Sequence, residues 1–148
     1  MRQHVDAYWQ TWKAHRHDPS RLNGHVAAPK VGVLRQMLVA ETDDEALTAT
    51  RTAYGDWYRS ITKLWHDHDD HSVDELFAWE TATQNETVLF GSPARVREQV
   101  RRLVEESGCN YVICSFVWGT LPHQQALRSL QLFAQEVMSA ISGTAVLA

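Results

Sequence analysis

The chain has 148 residues and a formal net charge of −4 at pH 7. That length makes one domain with a sizeable core, so residues 1–148 are read as a single domain. The acidic balance has no basic patch and excludes nucleic acid as the expected partner. No apolar run approaches the ~20 residues a membrane span needs, and the start, MRQHVDAYWQ, lacks the pattern of a signal peptide.

In chain order, Val5, Tyr8, Trp9 and Trp12 recur at helical spacing. They predict an opening helix whose aromatic face is core, or, as the weaker reading, an exposed patch for a partner. Asp18-Pro19-Ser20 and Asn23-Gly24 break it. Lys30–Ala40, KVGVLRQMLVA, reads as a strand. Its two faces place Arg35 or Gln36 inside on either choice, so the guanidinium must be paired, wet, or near a ligand. Thr42 then offers a hydroxyl to the amide of Glu45 as in a capping box. A long helix follows, with a stripe of Leu47, Thr50, Tyr54, Trp57, Tyr58, Ile61, Leu64 and Trp65.

His66-Asp-His-Asp-Asp-His71 has the composition of a metal site. It lies between predicted helices without rigid spacing, so the expectation is a solvated loop and no metal. Ser72–Glu75 caps a short helix through Trp79. Thr87–Phe90 is a short apolar strand, and Ser92-Pro93 supplies an N-cap hydroxyl and a ring preset for the first helical position. Val96, Val100, Leu103 and Val104 make the stripe of that helix, and Gly108 stops it. Tyr111–Val117 is nearly continuous in apolar residues, as in a strand buried on both faces. Gly119-Thr120-Leu121-Pro122 opens a last helix with the stripe Leu127, Leu130, Ala134, Val137, Met138 and Ile141. Cys109 and Cys114 lie in or beside one strand and cannot pair, which fits a reducing cytoplasm. The fold class is α/β with about three parallel strands and flanking helices.

The last third carries a family resemblance. FGSPARVREQVRRLVEESGCNYVICSF followed by GTLPHQQALRSLQLFAQEVMSAI resembles the C-terminal end of bacterial luciferase-like flavin-dependent monooxygenases. The G-S-P-x-x-V turn, the glycine-containing joint before the second strand and the L-P-H-x-x-A-L-x-S-x-x-L-F-x-x-E-V-M helix stand in the family's order. The joint here, Glu106–Asn110, has one glycine where the family has two. The resemblance implies part of a (β/α)8 (TIM) barrel, a fold that takes about 250 residues when whole. It also implies a monooxygenase, an oxidoreductase using reduced flavin and O2 on an organic substrate, with FMN or F420 as cofactor. Such a truncated chain is incomplete alone. Cofactor-binding or substrate-lining candidates are Arg35, Trp118, Gly119, Thr120 and His123; no catalytic residue carries over. Open strand edges imply self-association, first as a homodimer, or a separate chain with the N-terminal barrel strands. A non-catalytic, self-associating remnant of the barrel is the alternative.

Overall fold

The computed structural model describes residues 1–22 and 24–142. The elements are α1 (Arg2–Ala14), β1 (Gly32–Val39), α2 (Asp43–His66), α3 (Asp74–Phe77), α4 (Trp79–Gln84), β2 (Val88–Gly91), α5 (Pro93–Ser107), β3 (Tyr111–Ser115) and α6 (His123–Leu132). A π-helical turn, Phe133–Met138, and α7 (Ser139–Ser142) complete them. Of the predicted Asn23-Gly24 break, Asn23 lies outside the described residues.

The three strands are parallel, as expected, but their order is β2-β1-β3. Consecutive barrel strands are neighbours, so a run of barrel strands would place β2 in the middle. Here β1 is central, pairing Met37 with Leu89 on one side and Leu34 with Ile113 on the other. The path leaves β1 in one direction and returns past it in the other. Right-handed crossovers then put the connecting helices on opposite faces, as in doubly wound sheets.

Alternation along the strands feeds both faces. Met37, Val39 and Leu89 join Val96, Val100 and Leu103 of α5, Leu132 of α6 and Val137 in one core. Leu38, Val88 and Phe90 join Ala46, Ala53 and Tyr54 of α2, Ala82 and Trp118 in the other. Burial of this apolar surface is the main favourable term holding the layers together.

Several local expectations are corrected. Tyr111–Val117 is not buried on both faces: Tyr111 and Ile113 are 44% and 46% exposed, because α2 covers β2 and the far half of β1 but not β3. Nor is the aromatic face of α1 core. Val5 alone of that helix is buried; Tyr8 stacks on Trp12, and Arg21 lies 3.7 Å over the Trp12 ring. The last helix buries Ala126, Ser129, Leu132 and Val137, while Leu127, Leu130 and Met138 remain exposed. The π turn explains the final step, since its wider winding brings Val137, five residues after Leu132, back to the sheet.

Of the expected side-chain caps, that of Thr42 forms and those of Ser72 and Ser92 do not. Thr42 Oγ1 accepts the Glu45 amide at 3.2 Å. Ser92 makes no side-chain cap; its amide instead donates to Asp43 Oδ1 at 2.7 Å. That bond, with Arg95, holds the Asp43 carboxyl below its ordinary range and ties the start of α2 to the start of α5. Gly108 ends α5 with φ of 69°, the left-handed conformation that glycine adopts freely.

Candidate functional site

In doubly wound sheets, ligands sit outside the carboxyl ends of the strands, where the strand order reverses. That point here lies between the ends of β1 and β3. A groove of about 630 Å3 opens near it, between the first turns of α2 and the segment after β3. Asp44, Glu45, Thr48 and Thr52 form the helical wall, with Ala49 and Ala53 at its base. Thr120, Leu121, Pro122 and Gln125 form the other wall. A smaller cleft beside it shares Glu45, Ala49 and Gln125 and reaches Glu41 and Arg128.

The sequence builds this crevice by letting the chain peel away from β1. Pairing with β3 stops at Gln36 and Ser115, so Met37 and Val39 keep their β2 partners but have none on the β3 side. Two side chains take that place. Trp118 Nε1 donates to the Met37 carbonyl at 3.3 Å, and the Val39 amide donates to Ser129 Oγ at 2.7 Å. Buried backbone groups thereby stay satisfied.

The turn after Trp118 is pressed onto α2. Gly119 has φ of 56°, and a Cβ there would stand 2.1 Å from the Ala53 carbonyl oxygen. No other residue type fits that approach. The next hydroxyl, on Thr120, donates to Asp56 Oδ2, while Asp56 Oδ1 pairs with Arg59.

The five candidates from the sequence therefore separate. Thr120 lines the groove, Gly119 sets its wall, and Trp118 belongs to the core beneath it. His123 begins α6, exposed beside Pro122, and is not a lining residue. Arg35 is elsewhere: it is 6% exposed and points with Val33 and Met37 to the α5 face. Its Nη1 donates to its neighbour's carbonyl, that of Leu34, at 2.9 Å, while Nε has no hydrogen-bond partner. Burial pushes its pKa down; Glu86 counters this from a distance, but its carboxylate is taken by Arg102.

Reasoning from sequence missed Thr48, Thr52 and Gln125. The available signal was weak: Thr48 and Thr52 are one helical turn apart on the side of α2 away from its apolar stripe, where solvent is the ordinary neighbour.

The groove offers hydroxyl and amide groups over an apolar base. Thr52 Oγ1 donates to the Thr48 carbonyl and Thr120 Oγ1 to Asp56, so these two can accept, while Thr48 and Gln125 can donate, along the carbonyl and imide edge of a flat heteroaromatic ring. They do not suit a phosphate. Asp44 and Glu45 would repel it, and Arg128 in the adjoining cleft is bound to Glu41. The residues present thus suit a flat polar ring and not a phosphate group.

No family model matches the sequence. The uncharacterised protein y4wF of Sinorhizobium fredii is 25% identical over 112 residues, 75% of this chain and 33% of that protein. Among solved structures, the monooxygenase RslO1 from Streptomyces bottropensis superposes with a TM-score of 0.61 at 20% identity, over 89% of this chain and 37% of that one. Apo-MsnO8 gives a TM-score of 0.51 at 23% identity, over 74% and 35%. The chain spans about a third of the length of the proteins it matches. Among the described residues no helix is long and apolar enough to cross a membrane. The chain has a three-stranded parallel α/β fold similar to that of a monooxygenase.

Proposed function

We propose that this chain supplies one wall of a flavin-dependent oxygenase site of the luciferase-like kind, the remaining walls and the phosphate cradle coming from elsewhere. The groove between α2 and the segment after β3 is the observation that carries this reading. The motif resemblance of the last third and the likeness to RslO1 support it. Reduced flavin, when bound, would supply the oxygen-activating chemistry, and the protein supplies position and a dry surface. Thr48, Thr52, Thr120 and Gln125 orient a ring edge; Leu121, Ala49 and Ala53 exclude water from one of its faces.

The missing walls set the affinity expected of the chain alone. Preorganisation from several sides provides much of any site's binding energy, so FMN and F420 are held with dissociation constants well above micromolar. Flavin fluorescence titration tests this. Saturable sub-micromolar binding by the homogeneous chain would show that it needs no other wall.

The alternative, a self-associating module without catalysis, draws on a different observation. Leu34, Tyr111, Ile113 and Val117 are exposed about the open edge of β3, Val117 by 78%. β2, the other edge, is buried along its whole length. A second copy pairing across β3 would satisfy its free amides and carbonyls and cover these side chains, giving a closed two-fold dimer. The same pairing suits a complementary chain. Light scattering separates the cases: a homodimer at micromolar concentration supports the first, and a monomer that dimerises only with an added partner supports the second.

A further inference from the structure

The turn between α2 and α3 brings two imidazoles and a carboxylate to one point. His66 is the last residue of α2, Asp74 the first of α3, and His71 lies between them. His66 Nε2 is 2.6 Å from Asp74 Oδ1, and His71 Nδ1 is 2.9 Å from Asp74 Oδ2. The two rings are 4.7 Å apart, and one ligating atom from each of the three residues lies within 4.8 Å of the others. Donors at ~2.0–2.2 Å from a zinc-sized ion stand about 3–3.5 Å from one another. Closing onto an ion therefore needs side-chain movements of about an ångström.

The convergence was invisible in the sequence because positions 66, 71 and 74 share no helical or strand period. It comes from the backbone of the turn, held by the amides of Asp69 and Asp70 on the carbonyls of His66 and Trp65. Asp70 Oδ1 also accepts the Ser72 amide at 2.8 Å. Tyr58, two turns back on α2, lies beside Asp74. Asp69 approaches His71 Nε2 at 4.0 Å and adds negative charge at the mouth. The side chains of His66 and Asp74 are one-third exposed, so water can complete a coordination sphere.

We propose that His66, His71 and Asp74 bind one divalent transition-metal ion of the zinc, cobalt or nickel class. Two imidazole nitrogens and one carboxylate suit these ions better than magnesium or calcium. The site lies about 25 Å along α2 from the groove, so the ion acts as a clip joining α2 to α3. His68, equally prominent in composition, takes no part.

Calorimetric titration of the metal-free chain with Zn2+ tests the site, with Co2+ as a coloured probe. The expected result is one ion per chain with micromolar-class affinity, weakened at least about tenfold by His66→Ala, His71→Ala or Asp74→Asn and unchanged by His68→Ala. The visible Co2+ bands disappear with the same variants. On the unaltered chain, Zn2+ protects His66 and His71 from diethyl pyrocarbonate and leaves His68 reactive, a readout independent of any variant's folding. Absence of saturable binding, retention of it in the His66→Ala/His71→Ala double variant, or equal loss with His68→Ala would overturn the proposal.

Discussion

Trp118 Nε1 donates to the Met37 carbonyl at 3.3 Å, a side chain standing where the next residue of a strand would otherwise bond. The indole also packs edge-on to Tyr54 with ring centroids 6.5 Å apart, so it joins the floor of the groove to the α2 core. Trp118→Phe keeps an aromatic ring but leaves a buried carbonyl unmatched, a loss of about 1–3 kcal/mol. Urea denaturation checks this; an unchanged midpoint would mean that water or another group replaces the indole.

Two glycines on either side of the groove wall respond oppositely to alanine. At Gly119 a methyl group would collide with the Ala53 carbonyl and sit at a strained φ, so Gly119→Ala lowers stability by at least about 2 kcal/mol. Gly55, inside α2, has only the Arg59 guanidinium within reach, 3.9 Å from the same methyl. Gly55→Ala raises stability by about 0.5–1 kcal/mol through helix propensity. Thermal melting of both variants should give shifts of opposite sign.

Much of the fold was legible because apolar periodicity and punctuation are local. The strand and helix order, the Thr42 cap and the Gly108 stop follow from residues a few positions apart. The strand order did not, because β2-β1-β3 depends on which edge of β1 each returning strand joins, and no short-range pattern encodes that. The barrel implied by the resemblance in the last third is not shown by these three strands. The groove was partly legible through Thr120 and Gly119, whereas Arg35 failed as a lining residue because the period-two pattern places it on one face without saying which helix covers that face.

Tyr54 provides a pH signature. Burial raises its pKa from 10.0 to about 12, with Tyr58 adding to the shift, and its hydroxyl donates to the Phe77 carbonyl at 3.0 Å. The neutral form is favoured in the folded state. Its contribution is therefore complete below pH 10, falls between pH 10 and about 12 as unfolded chains ionise, and is spent above that range. The loss is on the order of 2 kcal/mol. Of the four tyrosines, Tyr54 should ionise last in an absorbance titration, and Tyr54→Phe should remove that late step. A titration in which all four ionise together near pH 10 would contradict its burial.

The groove between α2 and the segment after β3 is the centre of this account, and amide chemical-shift mapping of the isotope-labelled chain tests it most directly. Riboflavin and FMN, added well beyond micromolar concentration, should shift the amides of Thr48, Thr52, Thr120, Leu121 and Gln125. Riboflavin should act at least as strongly as FMN, since Asp44 and Glu45 oppose the phosphate. Thr52→Trp, which fills the groove, should suppress the response. Shifts concentrated elsewhere, such as on the Tyr8–Trp12 face of α1, or a response untouched by Thr52→Trp, would contradict the assignment.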